Sequence, residues 1–162
     1  MIQRLGIQET IHMGGNVLVE IHDAASGALL GSITAQNKVP LVGRNLIRDV
    51  LIGDTALTGQ PPSHVALGTG TSAPADTDTV LGNEVYRNVI TQKSILASTI
   101  IWKFFVPSVN ANGNTLSEAC ISNSSGQFPV MPILSRVTHT PFLKTPNITV
   151  TYTWVHTLSQ ST

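Results

Sequence analysis

Hydrophobic and polar residues alternate one by one along most of this chain. Between Ile148 and Leu158 the even positions are mainly apolar or aromatic, whereas threonine dominates the odd positions. Because successive side chains of a strand point to opposite faces, this stretch predicts a strand with one buried face and one polar, β-branched face. The same alternation at residues 17–21, followed by the turn residues Ala25-Ser26-Gly27 and the run 29–35, predicts a hairpin.

Other segments repeat this two-residue period. At residues 100–106 aromatic side chains fall on both faces, which predicts a central strand covered on each side. Asn and Gly residues at 110–114 then predict a turn, since both residue types tolerate positive φ. Further strands are expected at residues 85–96, 116–122 and 130–138.

One segment has helical rather than strand spacing. Leu46, Ile47, Val50 and Leu51 form an apolar stripe, and Gly53 follows as a C-terminal cap. We therefore predict a short helix at about residues 42–52 that packs on the end or flank of a sandwich. The whole chain, residues 1–162, is predicted to be one all-β domain, a jelly-roll-like antiparallel β-sandwich with this single helix.

The low charge of the chain narrows the possible partners. Only 11% of the 162 residues are charged, with nine Lys and Arg against nine Asp and Glu. No basic cluster is present to neutralise phosphates, so we expect no nucleic-acid binding. The apolar runs near residues 100–106 are far shorter than a membrane span, and the N-terminal residues do not resemble a signal peptide. Cys120 is the single cysteine and is expected to be a buried thiol.

A weakly charged exterior favours a protein whose surface is covered by neighbours. Burying neutral Ser, Thr and Asn side chains costs less than desolvating charges. We therefore expect a homo-oligomer or a component of a larger particle. The alternative is a monomer that is simply rich in Thr and Ser.

Candidate chemical motifs are incomplete. The Gly-Thr-Gly-Thr stretch at 68–71 lacks the Gly-Lys-Ser/Thr ending of a phosphate-binding loop. Asp76 and Asp78 are spaced like the start of a calcium loop, but the required Gly and Glu are missing, which leaves only a looser calcium site open. The five histidines lack metal-binding spacing, and His156 is expected in the core or an interface. We predict no enzyme, no cofactor and no metal.

The stretch from Val65 to Arg87, VALGTGTSAPADTDTVLGNEVYR, carries the most specific pattern. It resembles a segment of small tailed-bacteriophage virion proteins, which combine an apolar residue, Gly-x-Gly, a proline-containing loop, Asp-Thr before Leu, and Glu and Arg three residues apart. The matching positions here are Ala66, Leu67, Gly68, Thr69, Gly70, Pro74, Asp78, Thr79, Leu81, Glu84 and Arg87. Weaker similarity covers residues 42–45, 117–119 and 150–154, and Cys120 stands where those proteins have Gly.

This resemblance implies a structural component of a tailed-phage virion, assembled in the host bacterial cytoplasm with other virion proteins as partners. The tail, baseplate or fibre-attachment apparatus is the first expectation, and a capsid decoration or collar protein is the alternative. Two other classes of protein are further alternatives. The second class is a carbohydrate-binding β-sandwich that uses Trp102 or Trp154 as a stacking platform, and the third class is a hydrolase on the same scaffold.

Two sets of residues are candidates for structural or binding roles. Glu84 and Arg87 are an odd number of residues apart, so we expect them on opposite strand faces with different partners. Glu118 lies within an apolar strand and, if buried, needs a basic partner, for which Arg87 and Arg136 are the candidates. The loop at 69–79 is the expected partner contact, through Thr69, Gly70, Thr71, Pro74, Asp76 and Asp78.

Overall fold

The structure of this chain is a computed structural model that describes residues 11–54, 60–123 and 132–160. In these ranges the chain forms nine strands and one helix. They are β1 (Ile11–Asp23), β2 (Leu29–Gln36), α1 (Leu41–Leu51), β3 (His64–Gly68), β4 (Glu84–Val89), β5 (Gln92–Leu96), β6 (Thr99–Val106), β7 (Thr115–Ser122), β8 (Ile133–Leu143) and β9 (Ile148–Gln160).

The strands form two antiparallel sheets. Sheet A has the order β2-β1-β9-β6-β5, and sheet B has the order β4-β3-β7-β8. Buried apolar residues from both sheets meet in one core, among them Val19, Phe104 and Trp154 from sheet A and Leu67 and Ile121 from sheet B. The predicted all-β, sandwich-like fold with one short helix is confirmed.

Strand β9 shows how the two-residue period builds the core. Val150, Tyr152, Trp154 and His156 are buried, and the intervening positions are partly or fully exposed. Tyr152 and Trp154 stack with their ring centroids 5.6 Å apart. The predicted strand with one buried and one polar face is therefore confirmed, as are the hairpin of β1 with β2 and the turn before β7.

Two strand predictions are wrong. Strand β6 is not covered on both sides, because Trp102 and Phe104 face the core whereas Phe105 on the other face is 44% exposed. Residues 85–96 form two strands rather than one. Ile90 N–H still bonds Ser63 O next to sheet B, and Thr91 N–H bonds Lys103 O of sheet A, so the chain changes sheets between these two residues.

Several predicted features extend beyond the described residues. The start of the strand predicted at residue 130 lies outside them, as do residues 1–10 and 161–162 of the predicted single domain. The described part of that strand is β8, which begins at Ile133.

Helix α1 packs against β8, but the predicted apolar stripe is only partly buried, which corrects our expectation. Ile47 is partly buried, whereas Val50 is 36% and Leu51 81% exposed, because Gly43, Leu46 and Asp49 form the buried side of the helix. Leu46 is buried in the core, and Gly53 after the helix has φ +70°, the left-handed conformation expected of a C-terminal glycine. Gly43 faces β8 so closely that an added Cβ atom would overlap the carbonyl oxygen of Leu134. The absence of a side chain at this position therefore sets the distance between helix and sheet.

We expect Gly43→Ala to lower the free energy of unfolding by about 1–3 kcal/mol, because the methyl group would push the helix off backbone atoms that cannot rotate away. Urea denaturation measures this change. Gly31→Ala is the matched control, since nothing lies within 4 Å of its added Cβ atom, and it should stay within about ±0.5 kcal/mol. Equal effects of the two substitutions would contradict the close-packing explanation.

Candidate functional site

The loop at residues 69–83, between β3 and β4, packs on the face of sheet B that points away from the core. On this face Ala66 of β3, Cys120 of β7 and Arg136 of β8 are register neighbours. Leu81 of the loop joins Ala66, Cys120 and Ile133 in a second, smaller apolar cluster. Cys120 is a buried thiol as expected, and burial raises its pKa to about 12. The loop between β3 and β4 is therefore folded onto its own sheet.

Glu118, on the same face of β7, is completely buried and holds this loop. Its Oε1 accepts hydrogen bonds from the backbone N–H groups of Gly70 at 2.9 Å and Asn83 at 2.8 Å. Its Oε2 accepts from Gly82 N–H at 3.0 Å and from the Nε and Nη2 of Arg136 at 3.2 and 2.8 Å. One carboxylate thus binds both ends of the loop and the neighbouring strand.

The hydrogen bonds keep Glu118 ionised in spite of its burial. Burial alone would raise the pKa of the carboxyl group, but the N–H donors of Asn83 and Gly82, the Arg136 guanidinium and Gly70 N–H together hold the pKa below its ordinary value of 4.5. A lowered pKa in the folded state means that this stabilisation is complete above pH 4.5 and is lost as the pH falls through the folded value.

Arg136 connects Glu118 to the rest of the loop. Its side chain is almost fully buried and also donates to Asp78 Oδ2 at 2.6 Å and to Ser72 O at 3.1 Å. Its backbone exchanges two 2.8 Å hydrogen bonds with Lys38, just before helix α1. Burial lowers the pKa of the guanidinium, but Asp78 and Glu118 outweigh this effect and raise it.

The structure pairs the four predicted ion-pair residues as Glu118 with Arg136 and Glu84 with Arg87. Our expectation that Glu84 and Arg87 have different partners is wrong, since their side chains form two 2.7 Å hydrogen bonds. A register shift is the reason: Leu67 pairs with Tyr86 but Gly68 pairs with Glu84, which skips Val85. This β-bulge places Glu84 and Arg87 on the same face.

The Glu118 carboxylate approaches Gly68 at the end of β3 and Gly70 in the loop so closely that neither position has room for a side chain. A Cβ atom on Gly70 would lie 2.5 Å from Oε1, and one on Gly68 would overlap the same oxygen. Sequence reasoning missed the roles of Gly82 and Asn83, which are 36 and 35 residues from Glu118. The glycines at 68, 70 and 82 were the available signal, but nothing in the sequence connects them with an acid that far away.

Asp76 and Asp78, the candidate ligands of a looser calcium site, each bind an arginine instead. Arg44 on helix α1 binds Asp76 through two hydrogen bonds of 2.7 and 2.9 Å, and Arg136 binds Asp78. Within the described residues no group of three or more His, Cys, Asp or Glu side chains could hold a metal ion. Nor does any described helix have the length and apolar character to cross a membrane.

His156 is a core residue within a buried polar contact. Trp102 Nε1 donates to His156 Nδ1 at 3.0 Å, and since an indole N–H can only donate, the neutral ring carries its proton on Nε2. The amide nitrogen Nδ2 of Asn37 lies 2.7 Å from Nε2. Two N–H groups cannot bond each other and Asn37 Oδ1 has no partner among the described atoms, so we assign the amide in the flipped orientation, with Oδ1 accepting from Nε2–H.

The arrangement around Glu118 holds the loop against sheet B. Both carboxylate oxygens are occupied by donors from the chain itself. No protein-family model, curated protein sequence or solved structure matches the chain.

Removing either partner of the buried pair should destabilise the fold strongly. We expect Glu118→Ala and Arg136→Ala each to lower the free energy of unfolding by roughly 3–5 kcal/mol, because each leaves an uncompensated buried charge. The double variant should lose much less than the sum of the two. Asp76→Ala breaks an exposed pair in the same loop and is the control, which should cost far less stability because solvent screens that pair. A Glu118→Ala loss no larger than that of the control would refute the buried-pair role.

His156 should make stability depend on pH in a window above that of Glu118. Burial lowers the pKa of His156 to about 4 from 6.5, so the unfolded chain binds the extra proton first as the pH falls. We expect wild type to lose roughly 2–3 kcal/mol between pH 6.5 and 4 through this residue. His156→Gln keeps an acceptor for Trp102 but cannot titrate, so its loss over this range should be smaller.

The comparison needs a second histidine as a reference. Burial also lowers the pKa of His139 and of His64, so His139→Gln should remove a separate part of the slope. If His156→Gln unfolds with the wild-type pH dependence in urea titrations, the assigned protonation state of His156 is incorrect.

Proposed function

We propose that this chain is a non-catalytic structural component of a tailed-phage virion, in the tail, baseplate or fibre-attachment apparatus. The observation that carries the proposal is the use of the phage-like segment as a folding unit. Gly68 and Gly70 make room for the Glu118 carboxylate, Asp78 binds Arg136, and Glu84 binds Arg87. Residues of the pattern thus build the scaffold, which is the role expected in an assembly protein.

The surface of the loop supports an assembly role as well. The inner side of the loop is fixed by Glu118 and Arg136, whereas Thr71 and Asp76 on its outer side are exposed. Asp76 further ties the loop to helix α1 through Arg44 and through a backbone bond to Leu41 N–H. A loop held from several sides presents its exposed residues in a fixed arrangement, which lowers the entropy lost when a neighbouring virion protein binds.

The two tryptophans proposed as a stacking platform for carbohydrate are not accessible. Trp154 is fully buried and Trp102 is 7% exposed, with its indole N–H bonded to His156. Stacking on a sugar requires an accessible aromatic face, and both rings face the core. A capsid decoration or collar protein stays the alternative within the same kind of particle, because such a protein needs the same weakly charged, rigid domain.

Composition of purified particles tests the proposal. Phage particles are produced from the genome that naturally carries the coding sequence of this chain and are purified on a gradient. We expect mass spectrometry to find the chain in these particles in a fixed ratio to the major capsid protein. Deleting the coding sequence should give particles that lack a tail structure in electron micrographs, and supplying the wild-type chain should restore it. Intact tails with altered heads would instead favour the decoration alternative. Particles of normal composition and infectivity after the deletion would refute a virion role.

A further inference from the structure

The outer face of sheet A differs from that of sheet B in having no chain segment packed on it among the described residues. We call its centre the threonine face and define it by Leu18 and Glu20 on β1, Thr151 and Thr153 on β9, and Lys103 and Phe105 on β6. Leu18, Thr153 and Lys103 form one row across the three strands, and Glu20, Thr151 and Phe105 form the next. All six side chains are at least partly exposed.

The two charged residues of the threonine face have no ion-pair partner in the described part of the chain. Glu20 and Lys103 are separated by strand β9 and by one row. Strands lie about 4.8 Å apart and alternate residues about 7 Å apart, so the two positions are roughly 12 Å from each other. At this separation the two side chains form no ion pair with each other in the structure.

The same spacing makes the patch complementary to itself. One diagonal of the nearly rectangular patch joins Glu20 to Lys103, and the other joins Leu18 to Phe105. A two-fold axis along the Leu18–Phe105 diagonal brings Glu20 of each copy close to Lys103 of the other. It also places Leu18 and Phe105 near their own symmetry mates. Strands of the two copies would then cross at roughly 70°, within the range of orthogonal sheet packing.

The sheet is large enough for such a contact. Strands β1, β9 and β6 run side by side over the eight residues of β6, about 26 Å, and β2 and β5 add eight and five residues at the two edges. This gives a projected area of about 600 Å². Because side chains make the surface uneven, the accessible surface area is larger and approaches the ~800 Å² per partner of a standard interface. The threonines can be buried at low cost, since their hydroxyl groups can bond across the interface while their methyl groups pack.

We propose that a second copy of this chain packs on the threonine face about a two-fold axis along the Leu18–Phe105 diagonal. The proposal rests on the assembly role given above, because it names the surface through which copies meet. Two equivalent Glu20–Lys103 ion pairs fix the orientation of the copies, and Leu18 and Phe105 supply the apolar contacts on the axis.

Charge reversal tests the predicted pairing through the symmetry of the interface. Glu20→Lys or Lys103→Glu places two pairs of like charges in contact, so each should weaken the dimer about tenfold or more. The combined Glu20→Lys/Lys103→Glu variant exchanges the two charges and should restore the dimer to near wild-type affinity. Sedimentation equilibrium across a range of protein concentrations measures the dissociation constants of the wild type and of the three variants.

Lys38→Glu is the control, since Lys38 is exposed and lies outside sheet A. It should leave the dissociation constant unchanged, and circular dichroism should show that all variants are folded. A monomeric wild type, or a dimer insensitive to the single reversals, would overturn the proposal. So would a combined variant as weak as the single ones.

The result is separable from the particle experiment. A chain that is present in purified particles but shows no response to the reversals would leave the virion role intact and remove the threonine face as its interface. A dimer with the predicted pattern of reversal and rescue, formed by a chain absent from particles, would do the opposite.

Discussion

The buried carboxylate of Glu118 accepts five hydrogen bonds, and the outer side of sheet B depends on them. A buried acid without donors would be protonated or would unfold its surroundings, because desolvation strongly disfavours the charge. Here three backbone N–H groups and one guanidinium replace water. In return, the carboxylate satisfies N–H groups of Gly70, Gly82 and Asn83, which the loop itself does not pair.

Arg136 extends this interaction through the rest of the domain. Its guanidinium reaches Asp78 and Ser72 in the loop, and its backbone bonds Lys38 just before helix α1. Loop, sheet and helix are therefore linked through a single pair of oppositely charged side chains. Glu118 and Arg136 can both be buried because each neutralises the charge of the other and hydrogen bonds occupy both side chains.

The two outer faces of the sandwich consequently have different roles. Sheet B is covered by its own loop and a second small apolar cluster. Sheet A presents threonines, Phe105 and two unmatched charges to the exterior. In a protein proposed to work by assembly, the first face supplies internal rigidity and the second supplies contact area. The low number of charged residues favours the covering of both faces, because few charged side chains must be desolvated when either face is covered.

Local patterns in the sequence determined the strand of alternating Thr and aromatic residues at β9, the hairpin of β1 with β2, and the helix before Gly53. Each follows from side-chain periodicity or turn chemistry over a few residues. The sequence also marked Glu118 as an acid in need of a partner. Tertiary structure alone decided that Arg136 is this partner, since strand pairing brings together residues 18 positions apart.

The bulge opposite Gly68 and the sheet change after Ile90 were likewise decided by tertiary structure. A bulge shifts every following side chain to the other face, so counting residues from Glu84 to Arg87 gave the wrong pairing. Spacing along the chain predicts direction only while a strand stays regular. Register, corners and long-range hydrogen bonds depend on which strands become neighbours, and that depends on packing the whole sandwich around one core.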